Sequence, residues 1–105
     1  GSAYFKDPEW AKLNPKDFKY GNGGKQQRES NNFGLVHPRL GFINRYSMSG
    51  LEEDKAEIYA ALFIPSERKK INAMASKDSY LTAKISIMLG ILQGIDPTLS
   101  RYLAQ

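Results

Sequence analysis

Glu53 and Glu57 lie four residues apart in the run Glu52-Glu53-Asp54-Lys55-Ala56-Glu57. On a helix that spacing puts both carboxylates on one face, about one turn from each other. Two chemistries suit such a pair. The ordinary one is a solvated acidic first turn, favoured by the partial positive charge of a helix N-terminus. The other is metal binding, with Glu53 as a ligand and Glu57 orienting a neighbouring ligand from behind. Ala56 and Ala60 keep the adjoining helix surface low, which lets another element approach closely.

The remaining chemistry is limited by a single histidine, His37, and by the absence of cysteine. Without thiols there is neither a disulfide scaffold nor a thiolate zinc site. His37 precedes Pro38, which favours an extended conformation there. It reads as an ordinary loop histidine, a substrate-groove contact or a metal ligand. A Ser–His–Asp arrangement has to use it, and no serine lies in a nucleophile elbow. Gly21-Asn22-Gly23-Gly24-Lys25 lacks the spacing of a phosphate-binding loop, and no apolar strand leads into it.

The acidic run needs a helix to position it, and the second half of the chain supplies several. Ser49-Gly50-Leu51-Glu52 has capping-box spacing, so a helix is expected from about Leu51 to Phe63, stopped by Pro65. Ser66 caps a second helix, Glu67 to about Ala75. Asp78 caps a third, in which Leu81, Ile85, Met88, Leu89 and Leu92 form a one-sided apolar stripe closed by Gly94. Asp96-Pro97 opens a last short helix through Leu103. Upstream, Asp7 to Leu13 reads as a short helix ended by Asn14-Pro15. Residues 21–32 carry no apolar side chain and read as a mobile loop. The stretch from Phe33 to Tyr46, with Pro38 and Gly41, reads as irregular or short strand. The expected fold is therefore mainly α: about four helices after an irregular, loop-rich N-terminal third with room for a short strand pair.

At 105 residues the chain is long enough for one modest core. Residues 1–45 hold eight Lys or Arg against four Asp or Glu, whereas residues 46–105 hold seven of each. Three segments follow: Gly1-Ser2, which reads as the remnant of a purification tag; a basic connector, residues 3–45; and a helical subdomain, residues 46–105. No run approaches the ~18 apolar residues of a membrane span. Lys16 and Lys19 alternate with Phe18 and Tyr20, but a net charge of +4 without a repeated Arg/aromatic pattern falls short of a nucleic-acid footprint. Nucleic acid is not the expected partner.

Tyr46 lies seven residues before Glu53, and Glu53-Asp54-Lys55-Ala56-Glu57 reads Glu-x-x-Ala-Glu. This combination resembles the third-ligand helix of zincin metallopeptidases of the gluzincin type, in the anthrax lethal factor-like group. The likeness continues through Glu67-Arg68-Lys69-Lys70 into the Leu81–Leu92 helix. Trp10-Ala11-Lys12-Leu13-Asn14-Pro15 and Gly41-Phe42-Ile43-Asn44-Arg45-Tyr46 look like the connector of bacterial zinc metallopeptidases of this kind. The resemblance implies that Glu53 is a zinc ligand, that Tyr46 donates its phenol to the reacting carbonyl, and that Glu57 holds a ligand histidine. His37 and Arg45 then border the substrate groove.

HExxH, the motif that supplies two histidines and the general base in that family, occurs nowhere in the chain. The resemblance therefore implies the C-terminal half of a site whose HExxH portion lies at or before residue 1, or a remnant that has lost catalysis. By itself the chain is expected to be inactive and to bind zinc weakly or not at all. The implied partners are that missing portion and a peptide or protein substrate, in a bacterial extracytoplasmic or secreted setting. The competing reading is a non-catalytic helical interaction module that meets an acidic protein or nucleic acid through its basic residues.

Overall fold

The computed structural model describes residues 7–21 and 32–104, and it is mainly helical. Helix α1 spans Asp7–Ala11, α2 Leu51–Phe63, α3 Pro65–Ala75, α4 Ser79–Ile95 and α5 Pro97–Leu103, with a 3-10 turn at Tyr46–Met48 just before α2. Four α-helices thus follow the irregular third, as the sequence leads one to expect. No strand pair forms among the described residues; the connector contributes one isolated bridge, Arg39 with Phe42. Residues 22–31, the core of the expected loop, lie outside the described residues.

Local chemistry accounts for the helix ends. Ile64, forced out of helical geometry by Pro65, is extended (φ −104°, ψ 112°) and separates α2 from α3. Helix α3 consequently starts at Pro65, ahead of Ser66. Asp78 caps α4 by accepting from Leu81 N at 3.0 Å. Asp96 ends α4, one residue beyond Ile95 and past Gly94, and its side chain accepts from Thr98 N and Leu99 N to start α5. Helix α1 stops at Ala11; Leu13 N and Asn14 N close it with bonds to Trp10 and Ala11 carbonyls.

The expected capping box does not form. Gly50 is the N-cap of α2 and no side chain caps it. Ser49 is spent on the preceding turn instead: its Oγ and its N–H both donate to Tyr46 O, at 2.6 and 3.0 Å.

The apolar stripe of α4 does go inward, with Leu81, Ile85, Met88 and Leu92 buried. They pack against Ile58 and Leu62 of α2, Ile71 of α3, Leu103 of α5, and Trp10 and Ile43 of the connector. Each such side chain contributes roughly 1.5–3 kcal/mol by leaving water. Ser100 Oγ donates to Leu89 O at 2.9 Å and ties α5 to α4. Among the described residues, no helix is long and apolar enough to cross a membrane.

Candidate functional site

Helix α2 presents different chemistry on its different faces. Asp54 and Lys55 are buried with Ile58, Ala61 and Leu62, while Glu52 is exposed and Glu53 and Glu57 are half-buried at the surface. The acidic run is thus split: its middle aspartate belongs to the core, and its two flanking glutamates stay accessible.

Glu57 is already held. Its Oε1 accepts from Asn44 Nδ2 at 2.8 Å. Asn44 is itself buried, 1% exposed, and helps build the turn that carries Tyr46: its side-chain Oδ1 accepts from Ser47 N at 2.8 Å, and its backbone carbonyl accepts from Ser47 Oγ at 2.7 Å. One amide therefore ties the Tyr46 turn to α2. The Tyr46 ring packs on Phe33, centroids 4.5 Å apart. Asn44 went unnoticed in the sequence because a lone asparagine in a loop carries no periodic signal.

Arg45 is exposed and lines a cavity of about 300 Å³ with Gly21, Pro38, Met48 and Ser49, beside the Tyr46 turn. His37 does not take the extended conformation expected before a proline. Its φ is +49°, in the left-handed region that histidine visits more readily than most residues. Two bonds hold it there: Nε2 to Asp78 Oδ2 at 2.8 Å, and its N–H to Ile43 O at 3.3 Å. Asp78 Oδ2 also accepts from Gly41 N at 2.6 Å. Burial raises the Asp78 carboxyl, but the bonds from Gly41, His37 and Leu81 outweigh it, so the group sits below the ordinary carboxylate range.

Beneath the surface site lies a buried polar network. Asp54 Oδ2 receives Lys84 Nζ at 2.7 Å, Tyr20 OH at 2.7 Å and Trp10 Nε1 at 2.9 Å. Lys84 Nζ also donates to Gly41 O at 2.7 Å and sits 3.7 Å from the Phe42 ring centre. Burial pushes the Asp54 carboxyl up, against the opposing charge of Lys84 and the three bonds it accepts. Burial pushes Lys84 down, against Asp54. The Tyr20 phenol is raised by burial and by the Asp54 charge. Asp54, Lys84 and Trp10 are sealed from solvent, Tyr20 is half-buried at the edge, and together they join the connector to α2 and α4.

The aromatics that alternate with Lys16 and Lys19, and Arg68 of the Glu67–Lys70 run, turn out to be structural, while Lys16, Lys19, Lys69 and Lys70 stay exposed. Phe18 and Tyr20 pack on each other and on Phe42, with centroids 4.3–6.0 Å apart. Arg68 is buried, donates to Leu62 O at 2.8 Å and lies over the Tyr102 ring.

A zinc site with an open water position takes three protein ligands. Among the described residues no three His, Cys, Asp or Glu side chains come together to hold a metal ion. Glu53 and Glu57, one turn apart on α2, are both half-buried at the surface, and Glu57 is bonded to Asn44. No family model matches the sequence, and no curated protein or solved structure matches it either.

Proposed function

We propose that the chain is the C-terminal half-site of a zinc-dependent metallopeptidase, with the two histidines and the general base contributed by a segment outside this sequence. The observation that carries the reading is the Asn44 link, which ties Glu57 and the Tyr46 turn together on the side of α2 where Glu53 stays accessible. Glu53 is the metal-ligating carboxylate, placed by the first turn of a helix. Glu57, already fixed at one oxygen, has its second oxygen for a ligand histidine. Tyr46, carried on a pinned turn, donates its phenol to the carbonyl of the bound peptide. Zinc would supply an activated water for peptide hydrolysis; the 105-residue chain contributes binding and positioning.

The test is direct. The encoded sequence upstream of Ala3 carries HExxH within a few tens of residues; an upstream sequence without it overturns the proposal. In the longer protein, Glu53→Gln abolishes zinc retention while helix content by circular dichroism is unchanged. An unaltered zinc stoichiometry excludes Glu53 as a ligand.

A further inference from the structure

Arg45 is launched from a rigid point. Its neighbour Asn44 is buried and bonded at both ends, and its own carbonyl accepts from Met48 N at 3.1 Å to close the 3-10 turn. Its guanidinium is nevertheless uncommitted. Arg39 pairs with Asp17, Lys84 with Asp54 and Lys55 with Glu52, but Arg45 has no acidic partner among the described residues. It borders the cavity of about 300 Å³ formed with Gly21, Pro38, Met48 and Ser49.

The other walls offer few donors. Gly21 N is spent on Met48 O, Ser49 N and Oγ are spent on Tyr46 O, and Pro38 has no N–H. A ligand entering here meets apolar surface from Met48 and Pro38 and one cationic fork. A carboxylate matches that fork with two parallel hydrogen bonds, and the cavity's volume lies at the small end of ligand sites, fit for a single side chain. We propose that this cavity is a subsite for an acidic residue, Asp or Glu, of a bound peptide. The inference rests on the reading that the face beside Tyr46 receives a peptide, and it names the class of peptide.

The isotope-labelled 105-residue chain is titrated, without metal, with capped alanine-based peptides holding one central Glu, Gln or Lys, and the amide signals of Gly21, Met48 and Ser49 are followed by NMR. The Glu peptide is expected to bind about 10-fold more tightly than the Gln peptide, the difference a charge-assisted hydrogen bond makes. Arg45→Gln removes that preference, and Arg45→Glu transfers it to the Lys peptide. A peptide whose only carboxylate is its C-terminus tells a side-chain subsite from a terminal one. Equal binding of the Glu and Gln peptides, no binding of either, or an Arg45→Gln variant that keeps the preference overturns the proposal. Because no metal enters this measurement, its failure is distinct from that of the zinc reading, which Glu53→Gln tests.

Discussion

Lys84 Nζ lies 2.7 Å from Asp54 Oδ2, and neither side chain has any solvent exposure. Thirty residues separate them in the chain, yet between them they hold α2, α4 and the connector in register. Lys84 reaches the Gly41 carbonyl, and Asp54 receives Trp10 and Tyr20.

Removing one member of a buried ion pair leaves an uncompensated charge, a loss of about 3–5 kcal/mol. Lys84→Met is therefore expected to lower the unfolding free energy by about that amount in urea titrations. Adding Asp54→Asn to it recovers part of the loss, because no buried charge is then left unpaired. A double variant as unstable as the sum of the two single ones would show that the pair is not coupled.

Asp78 makes one contribution to the acid response, opposite in sign to that of Asp54, whose carboxyl burial raises. Its folded carboxyl lies below the ordinary range because the bonds from Gly41, His37 and Leu81 outweigh burial. A group depressed in this way adds stability above its unfolded pKa of about 4, and that contribution disappears as pH falls through the lower folded value. The urea midpoint of the native chain should fall more steeply from pH 5 toward pH 2 than that of a variant without this carboxyl. Asp78→Ala should lower it at pH 7 by about 2–3 kcal/mol equivalent, for a lost cap and an orphaned buried N–H, and flatten the acid slope. An unchanged slope would remove Asp78 from the account.

Asn44→Asp separates the two duties of that residue. The new carboxylate still accepts from Ser47 N, so the turn persists, but it faces Glu57 across the 2.8 Å that the amide now bridges. Destabilisation should be larger at pH 7 than at pH 4, because two carboxyl groups this close repel unless a proton bridges them, and acid supplies that proton. Asn44→Ala loses the contacts to Ser47 and Glu57 and a longer one to Phe33 O, and costs about 1–3 kcal/mol at either pH. Thermal melts at the two pH values distinguish them.

Gly41 and Gly90 should respond oppositely to alanine. Gly41 has φ +93°, and a Cβ there would stand 3.3 Å from Tyr80 Cβ, while both its N–H and its C=O are engaged, by Asp78 and Lys84. Gly41→Ala should cost more than about 1 kcal/mol. A Cβ at Gly90, inside α4, meets nothing within 4 Å. Gly90→Ala should raise stability by about 0.5–1 kcal/mol, read as a higher urea midpoint.

Much of this architecture is local and therefore legible residue by residue. Pro65 divides α2 from α3, Asp78 and Asp96 cap α4 and α5, and the α4 stripe turns inward, because each depends on neighbours within a turn or two. The capping box at Ser49 misled, since the same hydroxyl had a nearer acceptor in Tyr46 O. At the candidate site, the helix and the shared face of Glu53 and Glu57 could be read directly, whereas Asn44 and the His37–Asp78 bond could not.

The buried pair went unread in the sequence, where Asp54 counted only as part of the acidic run and Lys84 not at all, although both positions follow the helical pattern. Asp54 shares the inward face of α2 with Ile58 and Ala61, and Lys84 falls between Leu81 and Ile85 on the α4 stripe, so each charge sits where an apolar residue belongs. Helical periodicity shows that these positions go inside; it does not say which opposite charge each one meets. That choice arises only when α2, α4 and the connector close on one another. A charge withdrawn from water must then find its partner across the core, however distant that partner is along the chain.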